Sequence, residues 1–97
     1  MSESRQPYGI GFEEGFERRL KQFHRKHPQL EEAFLNLLIE LAADPFQPKL
    51  RIHALSGKLK GLHAVSFTRK MRVTLYLVVE QRRIRLVGIG DHDDVYR

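Results

Sequence analysis

Apolar residues recur along this chain in two rhythms, and the change from one to the other divides it near its middle. Up to about residue 43 the spacing is helical. Phe12, Phe16, Leu20 and Phe23 fall three or four apart with Arg18, Arg19, Lys21 and Gln22 between them, which predicts an amphipathic helix from about Glu13. Glu13, Glu14 and Glu17 lie early in it and Arg25, Lys26 and His27 late, the order that a helix dipole favours. Pro28 drives His27 out of the helical region and suits the first turn of a second helix. Leu30, Phe34, Leu37, Leu38 and Leu41 form the stripe of that helix, and Ala42-Ala43-Asp44-Pro45 ends it. The expected unit is a helical hairpin over about 13–43.

The other rhythm has period two. Val73, Leu75, Leu77 and Val79 alternate with Arg72, Thr74, Tyr76 and Val78, a strand pattern. Glu80-Gln81-Arg82 reads as a hairpin connection, and the chain returns from Arg83 to Ile89, with Gly88 and Gly90 marking the end of the run. His63 to Thr68 precedes them with Val65 and Phe67 on one face and Ala64 and Ser66 on the other. These three strands, joined by tight turns, make an antiparallel meander. Two weaker strands are expected at Tyr8–Phe12, weakened by two glycines, and at Leu50–Leu55. Helices first and strands after is an α+β order: an N-terminal helical hairpin packed on a mostly antiparallel sheet of four or five strands.

The 97 residues and their 41% apolar content suit one domain with one modest core, residues 1–7 being an expected disordered lead-in. With no cysteine, disulfides, thiolate metal sites and cysteine nucleophiles are excluded. The polar first seven residues lack the apolar stretch of a secretory signal, and no segment approaches the ~20 apolar residues of a membrane span. A cytoplasmic protein is expected. Charge changes the picture more. Residues 1–48 hold six Lys or Arg against eight Asp or Glu, whereas residues 49–97 hold eleven against four, within a net charge of +5. The strand-rich half is therefore the basic one, which fits a polyanion-facing surface or an acidic protein partner.

Candidate chemistry lies in that half. His92 and Tyr96 stand four apart after the last strand-like run, and His53 precedes the basic, glycine-bracketed segment Ser56-Gly57-Lys58-Leu59-Lys60-Gly61. An imidazole exchanges protons near neutral pH, and a phenol ring stacks or hydrogen-bonds. Histidines among cations suggest chemistry on a phosphate-rich substrate. A metal centre is disfavoured, because His53 and His92 have no third ligand at metal spacing.

Several segments, in order, resemble the RelE/ParE superfamily of bacterial toxins, and most of all its YafQ-like mRNA-interferase branch. They are Phe16 to Leu20 (Phe-Glu-Arg-Arg-Leu), Asp44-Pro45, His53-x-Leu55-x-Gly57-x-Leu59-Lys60-Gly61, Arg72 heading a strand, and Gly90-x-His92-Asp93-x-Val95-Tyr96. The resemblance spans roughly 12–96. It implies two helices on a twisted, mostly antiparallel sheet, and a ribosome-dependent endoribonuclease that cuts messenger RNA without metal or cofactor. It also implies a cognate antitoxin as silencing partner, in a complex as large as a heterotetramer or larger. In such cleavage the ribose 2′-OH loses a proton as it attacks the phosphate, the leaving 5′-oxygen gains one, and positive charge stabilises the phosphate.

Carried over by position, the resemblance implies His92 as general acid and His53 as the group that orients or deprotonates the 2′-OH. It implies Arg72 as a clamp on the scissile phosphate and Tyr96 as the ring that stacks on or orients a base. Lys58, Lys60, Arg69 and Lys70 are the expected contacts to RNA phosphates. His63 is read as structural, and His24 and His27 receive no role. Where YafQ-type sites have a further histidine and an aspartate, this chain has Ser66 and the Arg69-Lys70 pair, so His53 carries more of the base role. Two other functions fit the same resemblance: a ParE-like DNA gyrase inhibitor with no nuclease activity, and an inactive toxin homologue.

Overall fold

The computed structural model describes residues 6–91 and Val95. After a first strand, β1 (Gly9–Phe12), come helices α1 (Phe16–Lys26) and α2 (Glu31–Ala43), then β2 (His53–Ala54), β3 (His63–Ser66), β4 (Met71–Val78) and β5 (Arg83–Asp91). The strands form one sheet in the order β1-β5-β4-β3-β2. β1 runs parallel to β5 and every other pair is antiparallel, so the expected α+β architecture with its β3-β4-β5 meander is the observed one.

The helices cover one face of the sheet. Phe16 and Phe23 of α1 and Phe34, Leu37 and Leu41 of α2 pack on Val65, Val73, Leu75, Ile84, Leu86 and Ile89, all buried. Phe34 links the layers through its ring, which meets Phe16 at 6.3 Å and Phe67 edge-on at 6.1 Å between centroids. A shift of register in β5 is required for this. Thr74 pairs with Gly88 but Leu75 pairs with Leu86, leaving Val87 as an extra residue. The bulge lets Leu86 and Ile89, three apart, both face the helices.

Local chemistry moved several boundaries. Phe12, expected in the first helical stripe, ends β1 and is 41% exposed, its ring 4.9 Å from that of Phe16. Glu13 to Gly15 form a turn in which the Phe16 amide donates to the Glu13 carbonyl, and Gly15 takes φ 87°, so α1 starts at Phe16. Pro28 opens a 3₁₀ turn, Pro28–Leu30, that precedes α2 instead of belonging to it. The expected strand over Leu50–Leu55 shrinks to two residues, because Pro48–Leu50 is a 3₁₀ turn and Arg51 is left-handed at φ 54°. Gly88 and Gly90 do not end the last strand, which continues to Asp91. Gly88 instead permits a close approach: a Cβ there would lie 2.8 Å from Thr74 Oγ1 and 3.9 Å from Val95 Cγ1.

Candidate active site

Strand register assigns side chains to the face away from the helices. Partners across a ladder point the same way, so one row reads His53, Ala64, Thr74, Gly88 and the next Ser66, Arg72, Gly90. Ala64 and Thr74 are buried, as is Val95, which lies over Gly88. His53 and Arg72 therefore share this face, two strands and one row apart, roughly 12 Å between Cα positions from standard strand spacing. Both side chains are long enough to reach a single phosphodiester placed between them.

Beside the second row, where β3 turns into β4, is a cleft of about 310 Å³ lined by Lys49, Arg51, Ser66, Phe67, Thr68, Arg69 and Arg72. Its walls follow from the local sequence. Leu50 is buried, which anchors the segment and presents Lys49 and Arg51 on either side of it. Gln47 Nε2 donates to the Glu40 carbonyl at 2.8 Å and Lys49 Nζ meets Glu40 Oε2 at 2.8 Å, tying this loop to the end of α2. Across the cleft the turn closes through the Met71 amide on Thr68 Oγ1 (3.2 Å) and the Phe67 amide on the Met71 carbonyl (3.1 Å). Arg72 Nη1 donates to the carbonyls of Met71 (3.1 Å), Arg69 (3.4 Å) and Thr68 (3.5 Å), which orients the guanidinium over the turn.

Four cations thus crowd one cleft, and among the described residues Glu40 is the only carboxylate ion-paired to any of them. Such a lining suits an anion, and guanidinium forks match phosphate oxygens. His53 adds an acid–base group nearby. Its Nδ1 lies 3.0 Å from the Arg51 carbonyl. A carbonyl only accepts, so that contact is a hydrogen bond with the proton on Nδ1, which leaves Nε2 as the proton acceptor of the neutral ring. The left-handed Arg51 makes this contact possible by turning its carbonyl back toward residue 53.

The structure brings together some of the predicted residues and separates others. Arg69 and Arg72 line the cleft and Lys70 sits exposed on the same turn. Lys58 and Lys60 lie on the β2–β3 connection, at the opposite end of β3 from that turn, both exposed. His92 and Tyr96 fall outside the described residues. β5 reaches Asp91 opposite Met71, so the strand that precedes them ends beside Arg72. His63 pairs with Leu75 at the margin of the helix-facing side, with its Nδ1 buried and unbonded, and His24 packs edge-on against Phe34. Neither lines the cleft. Sequence reasoning missed Lys49 and Arg51; their spacing around the apolar Leu50 was the available signal. Among the described residues no three His, Asp or Glu side chains gather as metal ligands, and no helix is long and apolar enough to cross a membrane.

No family model matches the chain, and no curated protein matches it in sequence. Solved structures do match it. HP0894 from Helicobacter pylori superposes with a TM-score of 0.71 at 18% identity, over 91% of this chain and 98% of that one. YafQ from E. coli strain BL21(DE3) gives 0.69 at 16%, over 93% and 99%, and in its complex with DinJ 0.66 at 17%, over 93% and 99%. The YoeB/ParE toxin from Agrobacterium tumefaciens gives 0.66 at 14%, over 87% and 98%. The chain has the RelE-like toxin fold. Nearly the whole length of each neighbour is covered, so the likeness is one of the whole fold, the helical pair and the sheet together.

Proposed function

We propose that this protein is the toxin of a type II toxin–antitoxin pair and acts as a metal-independent, ribosome-dependent mRNA endoribonuclease. The observation that carries this reading is the cleft of Lys49, Arg51, Arg69 and Arg72 at the β3–β4 turn, beside the sheet face that bears His53 and Arg72. The fold shared with YafQ, and the existence of a DinJ–YafQ toxin–antitoxin complex, support the toxin role and an antitoxin as partner. In this reading the scissile phosphate sits in the cleft with Arg72 and Arg51 on its oxygens. His53 Nε2 takes the proton of the attacking 2′-OH while Nδ1–H, held by the Arg51 carbonyl, keeps the ring in register. His92 returns a proton to the leaving 5′-oxygen, and Tyr96 orients the adjacent base. Lys58, Lys60 and Lys70 contact phosphates further along the RNA.

Purified protein is tested for cleavage of messenger RNA with and without translating ribosomes. Cleavage that needs ribosomes, and that falls in His53→Ala, Arg72→Ala and His92→Ala, is the expected result. Unchanged growth arrest with all three replaced would sink the nuclease reading. The fold shared with a YoeB/ParE toxin makes gyrase inhibition the second reading. Arrested cells that show DNA damage instead of blocked translation would favour it.

A further inference from the structure

The open face of the sheet does not end at the cleft. Two rows further along β4 lies Tyr76, 42% exposed although it sits in the interior of a long strand. Its ladder partner is Arg85, which in turn faces Gly11, and the following row is Val78, Arg83 and Gly9. An exposed aromatic ring is thereby placed in register beside Arg85 and one row from Arg83. Gly9 and Gly11 contribute no side chain to this face, and a concavity of about 490 Å³ runs along the β1–β5 edge, lined by both glycines, Arg83 and Arg85 together with Ile10, Phe12 and Ile84. A Cβ on Gly11 would meet nothing within 4 Å. Arg83 is in no ion pair among the described residues, whereas Arg85 Nε meets Glu13 Oε1 at 2.8 Å and both remain well exposed.

These features form a surface with three complementary parts: a π-face, cations beside it, and a shelf from which bulk has been removed. Single-stranded nucleic acid requires that combination, because a base stacks on an aromatic ring while the backbone follows positive charge. Val95 over Gly88 lies in the row between this area and the cleft, so the two are separate areas of one face. Tyr76 is four residues from Arg72 on the same strand, about 13 Å at the usual rise. We infer that Tyr76, Arg83, Arg85 and the Gly9–Gly11 shelf form a second RNA subsite, which holds a nucleotide several positions from the phosphate in the cleft. This inference rests on the nuclease reading above for its choice of RNA. The ring supplies stacking without base identity, so the subsite sets affinity and register, not sequence.

The test compares binding of a uridine trinucleotide, which fills only the cleft, with that of a longer oligouridylate, both followed by fluorescence anisotropy. Tyr76→Ala is expected to weaken the longer oligonucleotide about tenfold and leave the trinucleotide unchanged, while Tyr76→Phe binds like wild type. Arg83→Ala should weaken the longer one and lower its salt slope by about one. Gly11→Val, whose side chain enters open space and so spares the fold, should fill the shelf and weaken the longer one alone. If Arg72→Ala weakens both oligonucleotides but Tyr76→Ala, Arg83→Ala and Gly11→Val weaken neither, the subsite is wrong and the nuclease reading stands. Equal weakening of both lengths by Tyr76→Ala would assign the ring to the cleft or to folding and overturn the subsite. A wild-type protein that binds the longer oligonucleotide no better than the trinucleotide overturns the subsite, while the nuclease reading is decided separately by cleavage on translating ribosomes.

Discussion

The two faces of the sheet are built from the same strands and do opposite things. On the helix side β4 contributes Val73 and Leu75, both fully buried; on the other side the alternating positions are Arg72, Thr74 and Tyr76, which run from half-buried to buried to exposed. The period of two converts neighbours in sequence into residents of different environments. On the helix side each position is constrained by packing with Phe16 and Phe34. On the open side, among the described residues, Ala64 and Thr74 are buried, and the rows flanking them carry charge at Arg72 and Arg85. A small domain therefore keeps stability and chemistry apart: the core lies beneath the sheet, and the cations lie where no apolar contact is lost by placing them there.

Substitutions that separate the faces should differ most. Phe16→Ala, at a fully buried ring between α1 and the sheet, should cost about 3–5 kcal/mol in chemical denaturation, whereas Tyr76→Ala should stay within about 0.5 kcal/mol. Equal costs would mean that the open face is also packed. Arg72→Ala should lower RNA cleavage by roughly a hundredfold or more with little change in stability, and Arg72→Lys should not restore it, since an ammonium cannot reproduce a guanidinium fork.

Two smaller effects sharpen the comparison. Gly88→Ala puts a Cβ 2.8 Å from Thr74 Oγ1 and should destabilise by about 1–3 kcal/mol. Adding Thr74→Ala should recover part of that loss, and a double-mutant cycle with no coupling would reject the close approach as the cause. Arg51→Gly should leave stability unchanged or raise it by up to about 1 kcal/mol, because glycine adopts φ 54° without strain. The same change should weaken RNA binding, since it removes a cation from the cleft. A loss of stability with no loss of binding would place the value of Arg51 in the fold.

Much of this architecture was legible in the residues, and the exceptions have specific causes. The stripe of Phe34, Leu37 and Leu41 and the alternation in β4 gave the helical pair and the central strand directly. Phe12 misled because it keeps helical spacing with Phe16 while lying in β1, and the turn at Glu13–Gly15 separates them. The short β2 was hidden by the left-handed Arg51, a backbone state that an arginine side chain does not advertise. Around the candidate site, His53 was noticed as a histidine among cations and Arg72 through the family resemblance, and register sets the two on one face of the sheet. Lys49 and Arg51 were signalled only by their spacing around the apolar Leu50, and the burial of Leu50 and the link from Lys49 to Glu40 complete their placement in the cleft.

Periodicity determined the class of elements and their order, and the charge count which half is basic, because helix and strand repeats and charge are properties of neighbouring residues. The tertiary structure decided which cations stand together. Lys58 and Lys60 are closer to His53 in sequence than Arg69 or Arg72, yet antiparallel pairing of β2, β3 and β4 carries the latter to one end of the sheet and leaves the lysines at the other. It also decided that β1, first in the chain, lies beside β5, which sets Gly11 next to Arg85. Such neighbours are fixed by strand register across long sequence separations, and no local pattern encodes that register.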